Sequence, residues 1–157
     1  VDRYGNINST EIGNYFVPDR RLNGSGGASD IATMANATII SMVHEPRRFV
    51  ESVDYLTSPG WKCKKPGSGE LVRRAPPCMW GGPKQVISNL GIMAFDDETK
   101  EMYVAYYYKD LGVTLEDIVK NTSFDIDVSR AKPFEMPTEQ ELDMLRNNID
   151  PEGIYLT

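Results

Sequence analysis

Strand-like and helix-like segments alternate along this chain, and this alternation constrains its fold more than any other feature. Residues 38–43 form a short apolar, β-branched run of the kind found in buried strands. They follow residues 28–37, where good helix formers place apolar side chains at helical spacing. Further on, the β-rich runs 85–95 and 101–108 are joined by a polar turn, which predicts a hairpin. Helices and strands that alternate in this way predict the α/β class.

Three patterns extend this prediction to the second half of the chain. Thr114 and Thr138 are each followed three residues later by an acidic side chain, which predicts two helix N-termini. The helix that begins after Thr114 is expected to end near Asn121, and the helix that begins after Thr138 is expected to end near Asn147. Between them, residues 124–128 alternate apolar and acidic side chains, as a half-buried strand does.

One segment, residues 58–83, interrupts the pattern with ten proline and glycine residues and five lysines and arginines. This composition predicts a long basic loop, which is uncommon in a compact domain unless it is mobile, functional or at an interface. A linker is the alternative, but the chain on either side is too short for two ordinary domains. We therefore expect residues 1–157 to belong to a single domain. The basic side chains of the loop are then either solvated or in contact with a ligand or partner.

The charge and cysteine content exclude several classes of protein. The net charge of −6 repels a phosphate backbone, so nucleic acid is not expected as a partner. No apolar run approaches the roughly 18 residues that cross a bilayer, and the first residues form no signal peptide, so no membrane partner is expected. Cys63, Cys78 and the single histidine, His44, lack the spacing of a metal site. We expect no bound metal and two reduced thiols in a cytoplasmic protein.

A glycine-rich turn before the first predicted helix is the first candidate site. Its residues are Gly24, Ser25, Gly26, Gly27 and Ala28. Backbone N–H groups at the positive end of a helix can hold a phosphate or an oxyanion. The order of the glycines departs from both the dinucleotide-binding fingerprint and the P-loop. A tight turn that only starts the helix is the alternative.

His44 is a second candidate, because it follows the predicted strand at 38–43 and ligands bind at strand ends in α/β sheets. A histidine without a visible partner is more often a structural residue, and no Ser-His-Asp order can be assigned to this one. Arg47 and Arg48 come shortly after it and are candidates for contacts to a phosphate.

The chain resembles a known family over nearly its whole length. The resemblance rests on residues 1–10 (VDRYGNINST) and 24–30 (GSGGASD), followed in the same order by shorter matches at 43–49, 86–91, 95–96, 112–117 and 150–154. Together these segments are similar to the second half of the β subunit of family I coenzyme A transferases, in particular the glutaconate CoA-transferase branch. Their combination is much more specific than any single piece.

The resemblance implies a fold, a reaction and partners. The fold would be an open, mainly parallel sheet with flanking helices, related in shape to sugar-phosphate isomerases. The reaction would move CoA between an acyl-CoA and a dicarboxylic or 3-oxo acid through a covalent glutamyl-CoA thioester. A CoA thioester is then a substrate and no cofactor is permanently bound. The partners would be the α subunit and the N-terminal part of the β subunit.

The resemblance also implies site residues. The family's Gly-Gly-Ala turn lines the active site, and its counterparts here are Gly26, Gly27 and Ala28. The amides of Gly27 and Ala28 are expected to stabilise the oxyanion that forms in acyl transfer. Asn8 and Ser9 are weaker candidates for the substrate side.

No catalytic residue is assigned within the chain. The catalytic glutamate of the family lies well upstream of the V-D-x-Y-G-N motif, at which this sequence begins. Glu11 and Glu45 lie close to matched motifs but lack the family's Ser-Glu-x-Gly context, so we expect them to be structural. Together with the start at Val1, this leads us to expect a fragment of a longer subunit.

Two alternative functions stay open. Relatives of this branch hydrolyse CoA thioesters or cleave carbon–carbon bonds, with the glutamate activating water or absent from the subunit. The other alternative is a non-catalytic fragment or scaffold, which would bind a partner subunit but no CoA.

Overall fold

A computed structural model describes residues 1–65, 67–76 and 79–155 of the chain. The described strands are β1 (Glu11–Gly13), β2 (Pro18–Arg21), β3 (Thr38–Ser41), β4 (Lys62–Lys64), β5 (Leu71–Arg73), β6 (Pro83–Ile87), β7 (Gly91–Phe95), β8 (Met102–Tyr107) and β9 (Lys132–Pro133). The helices are α1 (Ala28–Met34), α2 (Leu115–Lys120) and α3 (Glu139–Asp143), with a 3-10 turn at Lys109–Leu111 and a π-helical turn at Met144–Ile149. None of these helices is long and apolar enough to span a bilayer.

Five of the strands form one open sheet in the order β3-β6-β7-β8-β9. β3 pairs with β6 and β8 with β9 in parallel, whereas β6, β7 and β8 form an antiparallel meander. The predicted α/β class and the predicted hairpin are confirmed, and the sheet is mixed. The meander arises because the run 85–95 turns back at Ser88, whose hydroxyl accepts hydrogen bonds from the Leu90 and Gly91 amides.

One face of this sheet forms the hydrophobic core. Val86, Met93 and Val104 of the central strands are completely buried there. They belong to one cluster with Phe49 and with Ile118 of α2. The core therefore lies between the middle of the sheet and the segments that cover this face.

Two predicted strands differ from expectation. β3 ends at Ser41, and only Ile40 of it is buried, because β3 lies at the sheet edge and has a neighbour on one side alone. The prediction of a strand at 124–128 was wrong, since the described residues of this segment make only one isolated β-bridge, between Asp127 and Tyr103. Its alternation does describe burial, because Phe124 and Ile126 are buried, Val128 is half-buried and both acidic side chains are exposed.

The second and third helices begin where their sequence patterns predict. Thr114 and Thr138 each accept a hydrogen bond from the backbone N–H three residues later, and the acidic side chain there accepts the reciprocal bond. α2 ends at Lys120, and the π-helical turn continues α3 to Ile149. Both predicted helices are therefore confirmed.

α1 begins as predicted but ends three residues early, at Met34. The carbonyls of Ala32 and Thr33 accept hydrogen bonds from the Arg74 side chain and the Trp80 amide, instead of from the amides of a further helical turn. None of the helix residues is buried, and Met34 is 72% exposed. α1 is thus attached through its main chain and not through an apolar face.

The segment predicted as a basic loop contains the β4–β5 hairpin. Pro66, Pro77 and Cys78 of this segment lie outside the described residues. Arg73 is exposed at the end of β5, but the next residue, Arg74, is only 6% exposed. One basic side chain of the segment therefore faces the interior.

Candidate active site

The glycine-rich turn lies on the surface, directly before α1. Gly24 and Gly26 have φ angles of +85° and +49°, a left-handed conformation that favours glycine. Gly27 has a φ angle of −84°, which any residue adopts, and no described atom lies within 4 Å of the position that its Cβ would take. A side chain added at Gly27 would project into open space.

The backbone amides of this turn divide into two groups. The Gly24 amide donates to the Ser9 carbonyl at 2.7 Å, and the Ala28 amide donates to the Ser25 carbonyl at 2.9 Å. Within the described part of the chain, the Gly26 and Gly27 amides have no acceptor, and both residues are exposed. These two N–H groups are therefore free to bind an acceptor oxygen from a ligand.

Ser9 contacts the glycine turn, whereas Asn8 does not. The Ser9 hydroxyl donates to the Gly24 carbonyl at 2.9 Å, and the Ser9 amide donates to the hydroxyl of the buried Thr57 at 2.9 Å. The Asn8 side chain instead closes a local turn: its Oδ1 accepts from two following amides and its Nδ2 donates to the Glu11 carbonyl. Ser9 thus holds the start of the glycine turn.

The N-terminal motif forms a buried scaffold. Asn6 Nδ2 donates to Asp2 Oδ2 at 2.8 Å and to the Lys62 carbonyl at 2.7 Å, while Asn6 Oδ1 accepts from the Gly60 amide at 2.7 Å. Burial raises the pKa of Asp2, although hydrogen bonds from Asn6 and Tyr4 oppose this shift. The motif therefore anchors the start of the 58–83 segment to the start of the chain.

Arg74 connects this scaffold to the C-terminal end of α1. Its Nη1 donates to the carbonyls of Pro59 and Gly60, both at 3.0 Å, and its Nη2 donates to the carbonyls of Ala32 and Trp80. Burial lowers the pKa of Arg74. Sequence reasoning missed this residue and Thr57, because nothing in the local pattern separates Arg74 from its exposed neighbour or marks Thr57.

His44 is a core residue, as the structural alternative predicted. It is 3% exposed and stacks on Phe49 with the ring centroids 3.7 Å apart. Its Nδ1 lies 3.1 Å from the Ser88 hydroxyl and its Nε2 lies 2.9 Å from the Thr122 hydroxyl. Each of these hydroxyls also donates to a main-chain carbonyl, Thr122 to Ile118 at 2.8 Å and Ser88 to Gly91 at 3.1 Å. Burial lowers the pKa of His44 to about 4, so the ring is neutral at physiological pH.

The carboxylates near the matched motifs are held by arginines. Glu11 is 1% exposed and pairs with Arg21 at 2.5 Å. Glu45 pairs with both Arg47 and Arg48, at 2.6 and 3.2 Å. The last two arginines also line an open cavity of about 530 Å³, together with residues that include Asn8. Among the described residues, no three His, Cys, Asp or Glu side chains are grouped to hold a metal ion.

Comparisons with known proteins agree with one another. The coenzyme A transferase family model matches residues 1–121. The B subunit of glutaconate CoA-transferase from Acidaminococcus fermentans is 46% identical over 156 residues, which cover 99% of this chain and 56% of that protein. The crystal structure of that transferase matches with a TM-score of 0.82 and 43% identity, and the match covers 100% of this chain and 58% of that chain.

Two other relatives are subunits of enzymes that are named for other substrates or reactions. The B subunit of 3-oxoadipate CoA-transferase from Pseudomonas knackmussii is 37% identical, over 93% of this chain and 54% of that protein. The cholesterol ring-cleaving hydrolase IpdB subunit of Mycobacterium tuberculosis is 31% identical, over 98% of this chain and 58% of that protein. The chain thus spans little more than half the length of these relatives.

Proposed function

Because the chain belongs to the coenzyme A transferase family, we propose that it is part of a transferase β subunit that moves CoA between an acyl-CoA and a carboxylic acid. The likeness to the B subunits of two CoA-transferases, at 46% and 37% identity, supports this reaction. We propose a dicarboxylic or 3-oxo acid as the acceptor. The CoA thioester is a substrate, and the proposal includes no permanently bound cofactor and a cytoplasmic location.

The observation that carries the proposal is the pair of free amides in the glycine turn. In the proposed reaction a carboxylate attacks the thioester carbonyl and expels CoA thiolate, leaving an anhydride that the thiolate then opens. Each attack places negative charge on the carbonyl oxygen. Fixed N–H donors stabilise such an oxyanion, and the Gly26 and Gly27 amides have no acceptor within the described residues and belong to exposed residues. The proposed donors are therefore Gly26 and Gly27 and not the expected pair Gly27 and Ala28, because the Ala28 amide donates to the Ser25 carbonyl.

The nucleophile and the rest of the site are proposed to come from other segments. The carboxylates of Glu11 and Glu45 are engaged by arginines and do not lie free beside the turn. We therefore assign the nucleophilic glutamate to a β-subunit segment N-terminal to Val1, with residues 1–157 as the C-terminal part of the same domain. An α subunit completes the proposed complex, in keeping with the subunit names of the relatives.

A second candidate is an acyl-CoA hydrolase or carbon–carbon cleaving enzyme on the same fold. The 31% identity to a ring-cleaving hydrolase subunit, across 98% of the chain, favours keeping it. The two reactions differ in the fate of CoA, which transfer passes to an acceptor acid and hydrolysis releases. Transfer needs an acceptor acid and yields a new acyl-CoA, whereas hydrolysis incorporates an oxygen atom from ¹⁸O-labelled water.

The test uses the full-length subunit co-expressed with its α subunit, assayed with acetyl-CoA and a panel of dicarboxylic and 3-oxo acids. We expect a new acyl-CoA only when an acid is added. Gly27→Val should lower kcat by about 100-fold, because a branched side chain on the donor residue itself would crowd an acyl group that binds to its amide. Ala37→Val, which adds apolar bulk at an exposed position beyond the other end of α1, is the matched control and should leave kcat unchanged.

Other outcomes contradict specific parts of the proposal. Full activity in a folded Gly27→Val complex would show that the turn does not bind the oxyanion. Free CoA without a new acyl-CoA, and with ¹⁸O in the released acid, would favour the hydrolase. A complex that binds its partner but no CoA would establish a non-catalytic scaffold.

A further inference from the structure

The segment 58–83 has no role in the proposed chemistry, yet it makes the main contacts to α1. Arg74 donates to the Ala32 carbonyl, and the Trp80 amide donates to the Thr33 carbonyl at 2.7 Å. A Cβ at Gly81 would lie 2.2 Å from the Asn36 carbonyl oxygen, so the two main chains are in direct contact. This segment therefore holds the C-terminal end of α1.

The hydrogen bonds of Arg74 are those of a helix C-cap supplied by a distant residue. The last carbonyls of a helix lack intrahelical partners, and a cation at this end also complements the helix dipole. Arg74 binds one such carbonyl, at Ala32, and satisfies three more from Pro59, Gly60 and Trp80. Within the described residues no carboxylate pairs with it, so all its hydrogen bonds serve to position main chain.

α1 depends on this attachment because its other contacts with the described residues are few. None of its residues is buried, and its N-cap residue, Gly27, has no side chain that could cap the helix. At the other end, the turn is held by the paired hydrogen bonds between Ser9 and Gly24. The free amides of Gly26 and Gly27 lie between these two attachments. Any shift of the helix therefore moves the donors relative to residues 1–13.

We infer that Arg74 is a positioning residue, which fixes α1 and thereby places the Gly26 and Gly27 amides for acyl transfer without touching the substrate. This inference rests on the proposed function. It also gives the 58–83 segment a role that differs from binding a ligand phosphate, because its buried arginine reaches carbonyl groups. A guanidinium suits this role, since its two Nη atoms each donate to a separate pair of carbonyls. The single nitrogen of an ammonium group cannot reproduce this arrangement.

The test compares Arg74→Met with Arg73→Met in the full-length subunit with its α subunit. Arg73 is the matched control, because it is adjacent and exposed. In Arg74→Met we expect kcat to fall by about 100-fold with KM for acyl-CoA near its wild-type value, as for a small displacement of groups that act in the transition state. Arg74→Lys keeps the positive charge and is the second variant, to be used if Arg74→Met does not fold. It should lower kcat by about 10-fold.

Hydrogen exchange supplies a readout that is independent of activity. The amides of Ile31 and Ala35 donate to the Gly27 and Ile31 carbonyls. They should exchange about 10-fold faster or more in both Arg74 variants than in wild type and Arg73→Met, while the core strands keep their protection. Unchanged protection of α1 would overturn the inference, as would faster exchange of α1 with wild-type kcat per folded complex. If the wild-type complex transfers no CoA, the proposed function fails, and exchange in α1 still decides whether Arg74 holds the helix.

Discussion

The buried histidine makes the stability of this protein depend on pH in a defined window. In the folded chain the pKa of His44 is lowered to about 4 by burial, whereas an unfolded histidine titrates near 6.5. Between these two values the unfolded chain binds a proton that the folded chain does not. The stability contributed by the neutral His44 ring is therefore fully present above pH 6.5 and is lost as the pH falls toward 4. The difference in pKa corresponds to about 3 kcal/mol.

The assay is urea denaturation between pH 4 and pH 7.5, for the wild type and for His44→Gln. Glutamine keeps an N–H that can donate to Thr122 but does not titrate, so the difference between the two profiles isolates His44. Aspartates with a lowered pKa, such as Asp96 and Asp117, lose their ion pairs and hydrogen bonds only below about pH 4, and their effect is common to both proteins.

A direct measurement is available because His44 is the only histidine in the chain. Its single Cε1–H NMR resonance should titrate with a midpoint near 4. A midpoint near 6.5, or parallel stability profiles for the wild type and His44→Gln, would refute the argument that burial keeps the ring neutral.

Two further substitutions test the packing around the N-terminal motif. Gly60→Ala should lower the free energy of unfolding by about 3 kcal/mol, since its Cβ would lie 2.1 Å from the Tyr4 carbonyl oxygen; an unchanged urea midpoint would show that this backbone contact relaxes freely. Lys100→Met should cost about 1 kcal/mol, since Lys100 Nζ lies 4.5 Å from the Trp61 ring and is shielded from solvent; a thermal melt identical to that of the wild type would exclude a cation–π contribution.

Local patterns predicted the parts of the fold that local interactions determine. The capping boxes at Thr114 and Thr138 involve residues only three positions apart, so their sequence contains both partners. A strand needs a distant partner, and this explains why residues 124–128 show the correct burial without forming the predicted strand. Likewise β3 is largely exposed because it lies at the edge of the sheet. This position depends on the other strands and does not follow from the residues of β3.

In the candidate site, too, the features set by neighbouring residues were predicted and those that need distant partners were not. The glycine turn and its helix were predicted, and the positive φ angles of Gly24 and Gly26 explain two of the glycines. The parts that were not predicted act over long separations, since Arg74 is 42 residues from Ala32 and Thr57 is 48 residues from Ser9. An arginine in a basic segment has no local signature of burial. Its partners are carbonyl groups, which every residue carries and no sequence pattern displays.

The way α1 is attached also affects which substitutions its surface tolerates. Its anchors are carbonyl oxygens, and these are the same whatever side chains the helix carries. Ile31 and Met34 are 61% and 72% exposed and take no part in holding the helix. The attachment of α1 therefore sets no requirement on the side chains of its outward face, and substitutions there should leave the adjoining turn in place.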